Sequence, residues 1–181
     1  MINPIQKSLF QLCCLLFAGL LTLSCNKDNG LPPGFPVLYR QDFIIPVGLS
    51  EFQVHHFQLQ NISTRYLQEL TDHSKTDADI LGFTTSKASL TGIYGDSDLD
   101  FIDQVSLRVY DEADPNDYIE IAYRYPVPFE PGNTLPLIPS LADSKRMFSK
   151  SRISIDIVIW LRKITPVENE MRLDLEMWAQ I

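Results

Sequence analysis

Strict alternation of apolar and polar side chains near the C-terminus is the feature that most limits the possible folds. Apolar residues occupy every second position in two segments, residues 153–161 and 171–179. A period of two is typical of β-strands that bury one face and expose the other. We therefore expect these two segments to form an antiparallel hairpin.

Charges indicate the register of that hairpin. Opposite charges on facing strands attract, so Arg162 is expected opposite Asp174, with a loop at residues 167–169. A slip of two residues would place Arg162 opposite Arg172, where like charges repel. The first register is the one that we predict.

Alternation also predicts strands earlier in the chain. Residues 105–110 and 119–124 form a second expected hairpin, with a turn at 111–117. Further strands are predicted at 37–45, 52–59 and 87–94, and an eighth is possible at 135–138. The apolar phase shifts between Val54 and Phe57, which suggests a β-bulge. Short helices are predicted at 64–70 and 141–147.

Prolines are concentrated between Pro126 and Pro139, where missing amide donors favour an extended crossover along an edge. Short strands, frequent turns and one long crossover favour an all-β fold. We expect a two-sheet antiparallel β-sandwich of the immunoglobulin type, with seven to eight strands and one or two short helices. This single domain would cover residues 37–181.

The N-terminus is expected to be a targeting segment outside the fold. Lys7 precedes a charge-free, mainly apolar run from Ser8 to Asn26. Such a run is long enough for the apolar part of a secretory signal and short of the about 20 residues that span a bilayer. Residues 1–24 are therefore predicted to be a signal peptide.

The end of this run resembles the lipobox of bacterial lipoproteins. The residues are Leu21-Thr22-Leu23-Ser24-Cys25, with Thr22 at the position where the motif most often has Leu. The resemblance implies that Cys25 carries fatty acyl chains such as palmitate and becomes the mature N-terminus. Residues 25–36 would then be a lipidated tether, and the protein would be anchored to the outer membrane.

The short stretch after Cys25 bears on the side of the membrane that the protein faces. Asn26-Lys27-Asp28 is similar to export signals that send some lipoproteins to the outer surface, but only one acid follows the Lys. The alternative is a plain solvated linker. Periplasmic and surface-exposed locations therefore both stay open.

Composition excludes one class of partner. The formal net charge is -8, with 15 basic against 23 acidic side chains. Binding to nucleic acid depends on clustered Lys and Arg that displace counterions, so no nucleic-acid partner is expected.

Acidic residues gather on both sides of the strand predicted at 105–110. Asp96, Asp98, Asp100 and Asp103 come before it, and a second cluster at 111–117 follows it. The strand separates the clusters by about 23 Å, so they cannot form one site. The first cluster resembles the start of an EF-hand loop, but Phe101 replaces the turn glycine and Leu107 the bidentate Glu. It is a weak calcium candidate, solvated turns are the alternative, and no cofactor is expected.

Two tryptophans are weak candidates for a binding surface. In the expected hairpin, Trp160 and Trp178 are diagonal neighbours on the nominally polar face, where exposed rings could stack on a sugar or anchor a protein. Alternatively, the crossover 126–139 covers both rings, which is the interpretation that we favour.

Histidines do not indicate a metal site. His55 and His56 are adjacent in a predicted strand, so their side chains point to opposite faces. One is expected at the edge of the core and the other on the surface.

No set of acid, base and nucleophile meets the requirements of a catalytic site, so we expect a protein that is not an enzyme. Its expected role is binding, or scaffolding within an envelope assembly, with a protein partner. The alternatives are a glycan-binding surface module that uses Trp160 and Trp178, and a carboxylate-dependent hydrolase.

Overall fold

The computed structural model describes residues 31–94 and 98–181, which build one all-β domain. Its eight strands are β1 (Gly34–Ile45), β2 (His55–Ser63), β3 (Gly82–Gly92), β4 (Ile102–Asp111), β5 (Asp114–Arg124), β6 (Thr134–Pro139), β7 (Arg152–Leu161) and β8 (Asn169–Gln180). Helix is limited to α1 (Tyr66–Asp72), α2 (Lys145–Phe148) and a 3-10 turn (Asp77–Asp79). The predicted all-β class, the eight strands and the two short helices are confirmed.

All eight strands are antiparallel to their neighbours and form one nearly closed sheet, in the order β1-β8-β3-β6-β5-β4-β7-β2. The junction between β5 and β6 is the weakest, because only Ala122 with Pro139 and Tyr123 with Ile138 are paired there. The two edge strands, β1 and β2, approach each other through side chains. Phe43 and Phe57 have ring centroids 5.5 Å apart.

The predicted C-terminal hairpin is wrong, although both of its strands exist. β7 pairs with β4 and β2, whereas β8 pairs with β1 and β3. Asp174 lies opposite Arg40 and Ser89, not opposite Arg162. The link between β7 and β8 crosses over the ends of the two edge strands, so consecutive strands are not neighbours.

Other local predictions had mixed outcomes. The hairpin of β4 and β5 is confirmed, with longer strands and a tighter turn at residues 112–113. The bulge of β2 lies between Leu59 and Ile62 and not at residues 54–57. The proline-rich segment contributes β6, which lies within the sheet between β3 and β5, so it is not an edge crossover that covers the terminal strands.

The inner face of the sheet carries the apolar side chains of the alternating segments. Leu90, Leu107, Ile157, Leu173 and Met177 are fully or almost fully buried. A cluster of aromatic rings closes one end, where Phe83 and Phe148 lie 5.0 Å apart and Tyr39 and Phe148 lie 5.3 Å apart. α1 and α2 bring Tyr66 and Phe148 to this end.

Because consecutive strands run in opposite directions, the links between them alternate between the two ends of the domain. The links β1–β2, β3–β4, β5–β6 and β7–β8 lie at one end, and we call their described residues the loop end (46–54, 93–94, 98–101, 125–133 and 162–168). The chain enters β1 at the opposite end, together with the links that contain the helices. Within the part of the chain that the structure describes, no helix has the length and apolar content needed to cross a bilayer.

Candidate functional site

A groove of about 650 Å³ lies on the outer face of β1, β8, β3 and β6. It falls within the size range of small-ligand sites. Because side chains alternate between faces, its lining combines outward side chains with backbone of the residues between them. The outward side chains include Leu38, Arg40, Lys87, Ser89, Pro136, Asp174 and Glu176.

Cross-strand pairing arranges these side chains in rows. One row runs Arg40, Asp174, Ser89 and Pro136 across four strands. The row next to it runs Leu38, Glu176 and Lys87. Residues that are far apart in sequence thus meet in one groove. Leu38 and Glu176, for example, are paired across β1 and β8 although 138 positions separate them in sequence.

Both carboxylates of the groove are paired with basic side chains. Arg40 Nε donates to Asp174 Oδ1 at 2.6 Å. Glu176 accepts from the Ser86 hydroxyl at 2.7 Å, and Lys87 Nζ lies 3.6 Å from its other oxygen. The groove therefore presents paired positive and negative groups beside the apolar side chains of Leu38 and Pro136.

A third ion pair borders the groove in the next row. Arg172 donates two hydrogen bonds to Asp42, at 2.8 and 3.0 Å. These bonds hold the pKa of the Asp42 carboxyl below its usual value.

Trp178 lies at the other end of the same outer face, two residues along β8 from Glu176. Its ring is half-buried, and its indole N–H donates to the Pro32 carbonyl at 2.9 Å. Gly34 makes this position possible, because an added Cβ would lie 2.6 Å from Trp178 Nε1 and would overlap the Ala179 carbonyl oxygen. Trp178 is thus fixed against the chain where it enters the domain.

Trp160 does not join Trp178 in one platform. It lies on β7, opposite Gln104 of β4, and it is also half-buried. β7 and β8 are not neighbours in the sheet, so the diagonal arrangement expected from the hairpin is wrong. Cover of both rings by the segment 126–139 stays a prediction.

The two acidic clusters lie at opposite ends of the domain, as predicted from the length of the intervening strand. Asp98 and Asp100 lie at the loop end, whereas Asp111 and Asp117 flank the turn at the other end. Lys163 Nζ lies 2.6 Å from Asp100. Asp96 is outside the described residues.

Metal binding at the first cluster stays a prediction. Arg162 lies 3.6 Å from Asp103, so this carboxylate already faces a basic side chain. Among residues 31–94 and 98–181, no group of three or more His, Cys, Asp or Glu side chains is placed to hold a metal ion. The predicted lipidation site, Cys25, also lies outside the described residues.

The two histidines of β2 point to opposite faces, as predicted. His55 is buried, and its Nε2 lies 2.8 Å from the Ser50 carbonyl oxygen. His56 is exposed, and its Nδ1 lies 2.7 Å from Asp156 of β7.

Hydrogen bonds join the loops of the loop end in two pairs. Thr165 connects loop 162–168 to loop 46–54, since Gly48 N–H donates to the Thr165 carbonyl at 3.0 Å and the Thr165 hydroxyl donates to Pro46 O at 2.7 Å. Loops 93–101 and 125–133 are joined through Leu99 N–H, which donates to Gly132 O at 2.9 Å. The described residues of the loop end are therefore held together by hydrogen bonds between loops.

Arg162 connects the two loop pairs. Its Nη2 donates to the Val127 carbonyl at 2.6 Å, and its backbone N–H donates to Phe101 O at 2.9 Å. The guanidinium carbon lies 4.8 Å from the ring centroid of Phe129, which is a cation–π geometry. Phe129 nevertheless has 83% of its surface exposed.

Sequence reasoning did not find the groove or the loop end. The groove needs the register of four strands that are distant in sequence, and no local pattern carries that information. Phe129, an aromatic residue within the proline-rich segment, was a signal for the loop end, whereas Phe52 had been assigned to a predicted strand at 52–59. No family model matches the chain, and no curated protein matches it.

Proposed function

We propose that this protein is a lipid-anchored lipoprotein of the cell envelope that binds a partner or ligand without catalysing a reaction. The lipobox-like residues before Cys25 support the anchor, which would attach the protein to the outer membrane, in the periplasm or at the surface. The structural observation that carries the binding role is the groove on the outer face of β1, β8, β3 and β6. For the fold, we propose that the two four-stranded halves serve as the two sheets of a β-sandwich.

The chemistry of the groove supports recognition of a ligand that has both polar and apolar groups. Arg40 and Lys87 offer donors, Asp174 and Glu176 offer acceptors, and Leu38 offers apolar contact.

A glycan is the alternative ligand, and one observation favours it. Trp178 lies on the same face as the groove, two residues from Glu176, so that a sugar chain in the groove could reach the edge of its ring. Trp160 lies on another strand and would have to act separately. A segment of a protein partner remains the first candidate, since it suits the mixture of paired charges and apolar side chains.

A hydrolase remains the third candidate because Asp174 and Glu176 are two carboxylates in one groove. Their side chains project from the same face, about 7 Å apart along the strand, a spacing that glycosidases use. Both carboxylates accept from basic or hydroxyl groups, which supports a role in binding. Product release from a bound glycan, lost in Glu176→Gln, would overturn the proposal of a non-catalytic protein.

Anchoring is tested by metabolic labelling with palmitate and by membrane fractionation of cells that make the full chain. The Cys25→Ala variant is expected to lose both the label and the membrane association. Cys14→Ala is the matched control, because it removes a cysteine of the same apolar segment and leaves the lipobox intact. Retained labelling in Cys25→Ala would contradict the anchor. Protease treatment of intact cells then distinguishes a surface location from a periplasmic one.

The groove is tested with arrays of glycans and peptides probed with the wild type and two variants. Ser89→Tyr places a ring in the middle of the groove, whereas Thr91→Tyr adds the same ring to the same strand and face, outside the lining. Ligands of the groove should be lost in Ser89→Tyr and kept in Thr91→Tyr. Equal binding by both variants would show that the groove is not the binding site.

A further inference from the structure

Large apolar side chains are exposed at the loop end although the loops are ordered. Phe52 is 90% exposed, Phe129 83%, Tyr125 62%, Ile164 56% and Val167 55%. They come from three of the four loops. Large exposed apolar side chains that a fold brings to one end of a domain are candidates for a site of interaction.

Thr165 and Arg162 hold these side chains on a connected framework. Thr165 binds the loop of Phe52 to the loop of Ile164 through four hydrogen bonds of 2.7 to 3.3 Å. Arg162 binds the same loop to that of Phe129. A surface that is ordered before binding loses little entropy when a partner docks, which is the usual property of a binding end on a rigid scaffold.

Charge around the apolar side chains indicates the chemistry of the partner. The described residues of the four loops hold five acidic side chains, Glu51, Asp98, Asp100, Glu130 and Glu168, against two basic ones, Arg162 and Lys163. Both basic side chains are engaged with Asp103 and Asp100. Glu130 and Glu168 are exposed and form no ion pair with any other described residue.

We propose that the loop end docks on a protein whose surface has apolar pockets surrounded by Lys and Arg. The exposed rings of Phe52 and Phe129 enter the pockets, while Glu130 and Glu168 face the basic rim. A second copy of this chain does not fit, because two acidic loop ends repel each other. An anionic lipid surface is disfavoured for the same reason.

This inference rests on the proposed function in one respect, that the protein acts by binding a partner, and it does not depend on the groove or on the lipid. The loop end and the site where the chain enters β1 are at opposite ends of the domain. A partner on the loop end would therefore meet the protein on the side away from its tether.

Site-specific photocrosslinking in cells that make the full chain tests the docking surface. Benzoylphenylalanine replaces Phe52 or Phe129, and in control strains it replaces Leu67 or Leu141. The control side chains are 75% and 95% exposed, but they lie at the other end of the domain. The expected result is one protein adduct shared by positions 52 and 129 and absent from both controls, with crosslinked peptides that map to a basic surface.

Charge reversal provides the second arm. Glu130→Lys with Glu168→Lys is expected to lower the yield of that adduct about tenfold, because rim charges control association. Circular dichroism and thermal unfolding should be unchanged, since both side chains are exposed. The matched control is Asp72→Lys with Asp114→Lys, two exposed acids at the opposite end of the domain, which should leave the yield unchanged.

Several outcomes would overturn the inference. They are the absence of a protein adduct at positions 52 and 129, an adduct with a second copy or with lipid, the same adduct from Leu67 or Leu141, and a yield that charge reversal does not change. Fractionation of the same cells reports on the lipid anchor independently. A protein that forms the adduct but is not found in the membrane fraction would refute the anchor alone. A protein that is found in the membrane fraction but forms no adduct would refute the docking surface alone.

Discussion

Thr165 is the residue whose replacement most directly tests the ordered state of the loop end. It is 1% exposed and forms four hydrogen bonds to loop 46–54. Two of them use the side-chain hydroxyl, which donates to Pro46 O at 2.7 Å and accepts from Leu49 N–H at 2.8 Å. Thr165→Val removes these two bonds and keeps the shape of the side chain.

The cost of this change follows from the two lost bonds. Each contributes about 0.5–1.5 kcal/mol net, and a donor or acceptor left without a partner raises the cost. We expect the free energy of unfolding to fall by about 2 kcal/mol. Thr165→Ser keeps the hydroxyl and removes one methyl group, so that it should cost about 1 kcal/mol. The valine variant should therefore be the less stable of the two.

Urea unfolding of the chain from residue 26 onward, followed by tryptophan fluorescence, measures the difference. With a slope of about 2 kcal/mol per molar, Thr165→Val should lower the midpoint by about 1 M. Hydrogen exchange at the Leu49 amide should accelerate in the valine variant and not in the serine variant. Equal stability of the valine variant and the wild type, or a serine variant less stable than the valine variant, would refute the role of the hydroxyl.

Three further predictions concern pH and packing. Hydrogen bonds to basic partners lower the pKa of Asp42, Asp111 and Asp117 below 3.8, so that the stabilisation is present above that pH and is lost as pH falls through the lowered values. The melting temperature should therefore drop on acidification, and less steeply in Asp42→Asn, while an equally steep drop in that variant would contradict the assignment. Burial raises the pKa of Tyr39, so the folded state keeps this phenol neutral and loses stability as pH rises above 10.0. Thermal melts between pH 8 and pH 11 should show a smaller loss of stability in Tyr39→Phe than in the wild type. At neutral pH this variant should be less stable by about 1 kcal/mol, because the hydrogen bond from Tyr39 to the Thr64 carbonyl is lost. Gly34→Ala should lower stability by about 1–3 kcal/mol and change the fluorescence of Trp178, because the added Cβ meets its ring nitrogen and the Ala179 carbonyl. Unchanged fluorescence and stability would show that the start of β1 can shift freely.

Local patterns predicted the elements whose partners are close in sequence. β4 and β5 are joined by a two-residue turn, so alternation and proximity together specify the hairpin. The length of β4 also correctly predicted that the two acidic clusters lie at opposite ends. These conclusions depend only on strand geometry, which a short segment determines by itself.

Pairing of the terminal strands could not be derived in the same way. The charges of Arg162 and Asp174 suggested a register, but each charge finds its partner elsewhere, Arg162 near Asp103 and Asp174 with Arg40. Alternation tells which face of a strand is buried, not which strand lies beside it. Ser154 and Val158 of β7 are also buried although they lie on the nominally polar face, so alternation alone does not give the burial of every residue.

The candidate site was hidden for the same reason. Leu38, Lys87 and Glu176 become neighbours only through the pairing of β1, β8 and β3, in which the strand that is last in sequence separates the other two. For the loop end, Phe129 carried a signal that could be read from the sequence, because a large aromatic residue within a proline-rich link needs an explanation, whereas Phe52 was assigned to a predicted strand.

The topology also limits which end of the domain a partner of the loop end meets. β1 has 12 residues and is therefore about 40 Å long along its own axis, and it runs from Gly34 to the loop end. A partner that docks on the loop end therefore meets the domain at the end opposite Gly34. The photocrosslinked protein must reach that end if both the anchor and the docking surface are correct.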